Sequence, residues 1–392
     1  MATLAAQPAA FTATPRTLTL LYRGAAVAAV GFLIGLLFDP RAAWIGYLIG
    51  FALLTGLGLA GCLFVAVCHL TGARWAVVLR RLPEAMAGTL PVAALMGLGL
   101  LLGMSALYPW AGGHGTDHAL AHKHGWLNGP MFALRLLACF SAWLWLAARL
   151  RRGSRAQDQD PAPRHARRSL WNSILFFVVF AVTWSVASVD WFQSLEPEWA
   201  STIYALVTVS GVITAGLAVV MIAAVRLRDR GPLRGAVRDD HLDDLGKIAI
   251  AVSLLWVYLW YCQYMLVWYT NLPEETQYFV VRRRGSLATL QYANVVLNWL
   301  IPFCALMPKA ARRNGGVVLR VALVMLVGRC VDLYLLVAPP VLPAGSWLSP
   351  WLWLPVAGAA CLFAARFLAA LAQAPLLPRN DPDLVHSLRH RC

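Results

Sequence analysis

The chain has 392 residues, 60% of them hydrophobic and only 13% charged, with a mean hydropathy of +0.63. A soluble domain carries about 25% charged residues, so this composition excludes a soluble multidomain protein, and its apolar residues fall in blocks of about twenty, the length that crosses a ~30 Å hydrocarbon layer. The excess of 33 Lys and Arg over 18 Asp and Glu, net +15, points to basic loops on one side of a membrane and contact with membrane lipid, not to nucleic acid.

Window hydropathy predicts ten spans, at 20–38, 44–69, 89–107, 130–149, 170–189, 199–225, 248–270, 287–307, 317–338 and 350–374. With the N-terminus inside, 24 of the 33 Lys and Arg fall in or beside inner segments, five fall in outer loops, and four (Arg135, Arg320, Arg329 and Arg366) lie within spans. A wrong span number would scramble that alternation, so both termini are expected in the cytoplasm. The expected division is an N-terminal tail at 1–19, four helices in 20–149, a flexible basic linker at 150–169, six helices in 170–374 and a C-terminal tail at 375–392. The fold class is all-α, an integral membrane protein of about ten transmembrane helices. The first twenty residues lack the short apolar core and small-residue site of a cleavable signal peptide.

Span one is followed by Pro40. Span two contains Gly56-Leu57-Gly58-Leu59-Ala60-Gly61, small residues that let helices approach closely. The loop after span three holds His114, His118, His122 and His124, spaced to bind metal on a helix but interrupted by glycines; no metal site is assigned there. The other histidines sit at His69 near a span end and at His165, His241, His386 and His390 in inner segments, which excludes the facing pairs of a cytochrome b. Of eight cysteines none forms a CxxC, and all but Cys392 lie in or beside apolar segments, where they read as small hydrophobes. No phosphate-binding loop occurs on a strand–loop–helix background.

The outer loop after span five, Asp190 through Trp199, and that after span seven, Trp268 through Thr276, share a Trp, an aromatic, a Ser or Asn, a Leu and a Glu at a displacement of 77 residues (191 to 268). Ser194 and Asn271 are expected as helix N-caps, with Glu196, Glu198, Glu274 and Glu275 favouring the positive helix end. The inner segment 226–247 reads as a solvated loop whose Asp240, His241, Asp243, Asp244 and Lys247 could gather protons. Within span eight Pro302 is expected to kink the helix. In span nine Arg329 and Asp332 lie three apart, on one face, with Tyr334 two residues on; a charge inside a membrane is costly unless paired, so the pair is structural, or else serves as a proton relay or a quinone-headgroup contact. In span seven the deep Tyr261 and Gln263 need internal partners, and Tyr264 and Tyr269 suit the interface. Arg366, near the inner end of span ten, snorkels.

The run from Trp256 to Thr276, WVYLWYCQYMLVWYTNLPEET, resembles the signature of the ActF family of membrane subunits of bacterial alternative complex III. His69-Leu70-Thr71-Gly72-Ala73-Arg74-Trp75, Asp190-Trp191 through Thr202, Asp244-Leu245-Gly246-Lys247, Asp332-Leu333-Tyr334 and the tail Asn380-Asp381-Pro382-Asp383-Leu384 agree with it. That family is similar to the NrfD and polysulfide-reductase anchors. The resemblance implies ten helices around NrfD-like paired four-helix bundles, in a quinol:electron-acceptor oxidoreductase. It implies no cofactor bound by this chain, haem c and iron–sulfur clusters in partner subunits, and quinol or menaquinol handled chiefly by an ActC-like sister subunit, with His69, Tyr261, Gln263, Tyr264 and Tyr269 as this chain's candidates for a quinol cleft. The rival reading is a stand-alone secondary transporter, or the anchor of another NrfD-type oxidoreductase.

Overall fold

The structure, a computed structural model, describes residues 11–112, 122–162, 164–343 and 345–391. Among them there is no strand, and nine helices are long and apolar enough to cross a membrane. This is the architecture of a multi-pass, all-α membrane protein.

The helices are α1 (Pro15–Phe38), α2 (Pro40–Thr71), α3 (Arg81–Ala87) and α4 (Leu90–Leu100), then α5 (Gly129–Gln159), α6 (Arg164–Trp191) and α7 (Tyr204–Arg230). There follow α8 (Asp239–Thr270), α9 (Pro273–Arg282), α10 (Ser286–Val295), a π turn (Val296–Leu300), α11 (Ile301–Leu306), α12 (Lys309–Arg313), α13 (Gly315–Val337), α14 (Pro350–Leu371) and α15 (Leu384–Leu388). Helix α13 is the expected ninth span. It has 23 residues, but every 18-residue stretch of it contains Arg320, Arg329 and Asp332, so it falls outside the nine purely apolar helices.

Helix α2 is the hub: 83% of its apolar stretch is buried, and it touches α1, α3, α4, α6, α7, α13 and α14. Its small residues make this possible. A Cβ on Gly61 would strike the Pro83 carbonyl, and one on Gly216 of α7 would strike Ala60, so the backbones meet at a distance no larger residue allows.

Three segments read from sequence as loops or tails are folded. The linker 150–169 is mostly helix, because α5 runs to Gln159 and α6 starts at Arg164. Asp160 ties the turn by accepting from His165 (3.0 Å), Arg164 (2.5 Å) and the Ala162 N–H (3.1 Å), which together hold its carboxyl down to about 2. The segment before the third span is also packed: Arg80, Arg81 and Glu84 are buried, Arg81 bonding Glu84 (2.7 Å), Ser154 (2.9 Å) and Asp158. The C-terminal segment closes over them. Asp381 pairs with Arg80 at 2.5 Å, the Arg379 N–H donates to Asp158 at 3.0 Å, and the Ser387 hydroxyl donates to the Trp75 carbonyl at 2.6 Å. Phe11 and Thr12 lie beside Arg230 and Leu371, so both described ends of the chain meet at this arginine-rich end of the molecule.

Candidate functional site

Buried charge inside apolar helices has to be matched, and the matching defines the site. On α13 the Arg329 guanidinium bonds Asp332, and both residues are 3% exposed. The second carboxylate oxygen accepts from Asn294 of α10 at 3.1 Å, and Asn298 donates to the Asn294 side-chain oxygen at 2.7 Å. Gly211 of α7 makes room, since its Cβ would fall onto the Arg329 guanidinium and within 3.2 Å of the Asp332 carboxylate.

Asn298 sits in the π turn. Pro302 has no N–H to give to the carbonyl four residues back, and its ring would clash there. The extra residue of a π turn relieves both conflicts, so the expected kink appears as Val296–Leu300, and it turns Asn298 into the core.

Beyond Asp332 lies a small cavity of about 20 Å³, with walls of mixed character in which Gln263, Tyr278, Arg282, Gln291 and Asn294 stand beside Val207, Leu335 and Leu336. That volume suits about one water, and the Gln291 side-chain oxygen is buried there without a partner among the described residues. Arg282 of α9 closes the far side. It donates to Glu196 (2.6 Å), to the Leu335 carbonyl (2.9 Å) and to the Tyr278 carbonyl (2.8 Å), and lies 3.5 Å over the Tyr278 ring. Tyr278 in turn stacks on Trp199 with centroids 4.0 Å apart. Burial raises the Tyr278 phenol to about 12 although Arg282 pulls it down. A column of polar groups therefore runs from Asn298 through Asn294, Asp332 and the cavity to Arg282 and Glu196.

The sequence candidates distribute unevenly around this column. Asp332, Arg329, Glu196 and Gln263 belong to it. Tyr334 is buried on α13 against Trp353 of α14, 6.2 Å between centroids. Asp190 forms a separate buried pair with Arg135 (2.6 and 3.0 Å), helped by the Trp126 N–H at 3.0 Å. Glu198 and Glu274 are exposed, Glu275 is half-buried, and Glu275 accepts from Thr270 at 3.4 Å. The expected N-caps are corrected: Ser194 donates back to the Asp190 carbonyl at 2.6 Å, and Asn271, at φ 48°, ends α8 in the left-handed conformation rather than starting a helix.

The inner acidic cluster is a further correction. It is no solvated loop, because Asp239 starts α8 and Asp240, His241 and Asp243 are buried. Asp240 pairs with Arg313 (2.7 Å), Asp243 with Arg312 (2.7 Å) and Lys247 (2.9 Å), and Asp244 with Lys247 (2.9 Å) and His390 (2.7 Å). His241 accepts from the Arg238 N–H through Nδ1 (3.0 Å), which leaves Nε2–H to donate to the Ser387 carbonyl (3.1 Å). This cluster fastens α12 and the C-terminal segment onto α8.

The five quinol candidates do not converge. His69 bonds Ser173 at 2.9 Å where α2 ends among the arginines. Tyr261 and Tyr269 face outward, 54% and 83% exposed, so Tyr261 has no internal partner as expected of it. Tyr264 accepts from Arg283 at 2.9 Å, and Gln263 alone reaches the cavity, which is too small for a quinol ring. Among the described residues no three His, Cys, Asp or Glu side chains gather as a metal site; His114 and His118 lie outside the described residues, and His122 and His124 are exposed. Arg366 is half-buried with its Nε unpartnered, not extended into solvent.

Arg282 and Arg135 are the residues sequence reasoning missed. Arg282 sits in the triplet Arg282-Arg283-Arg284, which reads as a charged loop. The available signal was the four-residue spacing from Tyr278, which puts the two on one helix face. Compared with known proteins, the chain matches no family model, and no curated protein matches it.

Proposed function

We propose that the chain is an ActF-like membrane subunit of a quinol:cytochrome c (or equivalent acceptor) oxidoreductase of the alternative complex III type, contributing assembly and a proton path rather than a redox centre. The observation that carries the proposal is the column from Asn298 and Asp332 through the water-sized cavity to Arg282 and Glu196, assembled from α7, α8, α9, α10, α13 and the loop before Trp199. An ionisable group within a membrane helix is costly and is kept chiefly where it moves ions or protons. Asp332 and Arg282 both line the cavity, and Arg282 bonds the half-exposed Glu196, so a proton taken up at Asp332 has a bridging site and an exit.

The rest of the architecture fits this reading. The contacts group α2, α3–α4, α5 and α6 on one side and α7, α8, α10–α11 and α13 on the other, with α1 and α14 against α2, which supports the paired four-helix bundles of NrfD-like anchors. The arginine-rich end, where both ends of the chain meet, supports a cytoplasmic location for both in a bacterial inner membrane. Tyr258, Tyr261, Trp268, Tyr269 and Tyr292 are exposed along α8 and α10. Phenol groups at membrane depth need partners, which favours an ActC-like sister subunit on this face; the quinol pocket belongs there, and the iron–sulfur and multihaem c-type subunits dock outside the bilayer.

The test is the assembled complex in proteoliposomes with Asp332→Asn. Fewer protons released per electron, with assembly retained, supports the relay; an unchanged ratio leaves Asp332 structural. The π turn beside Pro302 favours one rival, a secondary transporter with a broken helix. Isolation from native membranes separates them: haem c and iron–sulfur proteins co-purify with a complex subunit, and a lone stable chain supports the transporter.

A further inference from the structure

At the arginine-rich end a large groove opens between α2, α7, α13 and α14, with a volume of about 1020 Å³. Its walls are apolar, among them Leu57, Val219, Ala223, Phe363 and Phe367, and α7 contributes Arg226 and Arg230 at its end. Those two arginines are four residues apart and so share one helix face. Both are exposed, and neither bonds nor pairs with a described residue. The acids nearest in sequence are occupied elsewhere, Asp229 and Asp239 both pairing with Arg228 at 2.9 and 2.6 Å.

The groove has the depth of one leaflet. From Val219 to Arg230 is eleven helical steps, or ~16 Å at 1.5 Å per residue, against half of a ~30 Å hydrocarbon core. An apolar slot of leaflet length capped by two uncompensated cations matches one chemistry. A neutral quinol headgroup, or a neutral zwitterion, leaves the net charge of two guanidinia unanswered, whereas a phosphodiester with net negative charge accepts from both.

We propose that this groove is a binding site for an anionic phospholipid of the leaflet at the arginine-rich end, its phosphate held by Arg226 and Arg230 and an acyl chain lying along Val219, Ala223 and Phe363. The lipid acts as a wedge between α7 and α14, two helices that otherwise leave the groove open between them. The inference depends on membrane embedding and is independent of any quinol chemistry.

The experiment is native mass spectrometry of the full chain released from nanodiscs of equal phosphatidylglycerol and phosphatidylcholine with matched acyl chains. A cation near the headgroups contributes about fivefold, so the wild type is expected to retain phosphatidylglycerol about thirtyfold over phosphatidylcholine, and Arg226→Gln/Arg230→Gln to lose that preference. Ala360→Trp, at an exposed position of the groove wall, is expected to lose both lipids. Arg167→Gln/Arg168→Gln, at the same end but outside the groove, is expected to keep the preference. Equal retention of the two lipids by the wild type, an unchanged preference in Arg226→Gln/Arg230→Gln, or quinone retained in place of phospholipid would overturn the assignment. None of these outcomes bears on proton release through Asp332, so the two proposals fail separately.

Discussion

Replacing Asp332 with Asn tests the pairing through melting and the proposed proton transfer through proton release. The carboxylate serves two partners, Arg329 through one oxygen and Asn294 through the other at 3.1 Å. An amide keeps a single oxygen: if it accepts from Asn294, its NH2 faces the Arg329 guanidinium, donor against donor. Arg329 is then a buried, unmatched cation, and breaking such a pair costs about 3–5 kcal/mol. With an unfolding entropy of ~2.1 cal/mol/K per residue, the chain has ~0.8 kcal/mol/K, so the loss corresponds to about 4–6 °C in melting temperature. Arg329→Met/Asp332→Leu removes both charges and leaves only Asn294 short of an acceptor, about 1 kcal/mol, so it is expected within about 1–2 °C of wild type. Melting is read by tryptophan fluorescence on the purified chain, proton release on the assembled complex. If Asp332→Asn melts with the wild type and the apolar double variant is no better, the buried-pair argument is wrong.

Arg282→Gln abandons Glu196, two carbonyls and the Tyr278 ring together and is expected to destabilise the chain by about 3 kcal/mol; Arg282→Lys should not rescue it, because an ammonium cannot reproduce the planar fork. Glu275→Gln and Arg283→Gln, at the weakly bonded surface positions beside it, should each change stability by less than about 0.5 kcal/mol, and an effect of either as large as that of Arg282→Gln would move the outer end of the path away from Glu196. Gly211→Ala drives a methyl onto Arg329 and should cost about 1–3 kcal/mol, while Gly125→Ala, in open space, should melt like wild type. For Tyr278, burial raises the phenol to about 12 against ~10 in the unfolded chain; the unfolded state therefore deprotonates first. Stability is complete below about pH 10 and falls as pH rises from there through about 12, and Tyr278→Phe should remove that part of the alkaline loss in melts between pH 8 and 11.

What the sequence disclosed depended on which physical signal each feature carries. Spans are legible because every backbone group in hydrocarbon must bond within its helix, so twenty apolar residues admit one structure. The helix expected as span nine was legible as a helix, and its ion pair from the three-residue spacing of Arg329 and Asp332. The small residues Gly56 to Gly61 announced close packing in the same direct way. Segment 226–247 was misread because composition alone cannot separate a solvated run of Asp and Arg from one whose partners come from distant sequence. Asp243 is matched by Arg312 and Asp240 by Arg313, 69 and 73 residues away, and the C-terminal segment that buries His241 is 146 residues away. The same limit made 150–169 read as flexible, although Asp158 is held by Arg81 and by the backbone of Arg379.

Charge pairing at the two ends of the molecule differs in a way that bears on mechanism. At the arginine-rich end buried acids meet cations, Asp243 meeting Arg312 of α12 and Lys247 of its own helix and Asp381 meeting Arg80, and the result is a clasp that joins α8, α12 and the C-terminal segment. In this clasp one carboxylate oxygen of Asp243 faces the Arg312 guanidinium and the other faces the Lys247 ammonium. The column around Asp332 is different, because its next contacts after Arg329 are amides and a cavity of one water, groups that both accept and donate. Glu196 then meets Arg282 at 2.6 Å while remaining half-exposed. On the proposed path a proton arriving at Glu196 would loosen that pair, and the Arg282 guanidinium would keep two backbone carbonyls and the Tyr278 ring. The pair can therefore open at the carboxylate without stranding the cation, which is the condition for an exit gate and is absent from the clasp at the other end.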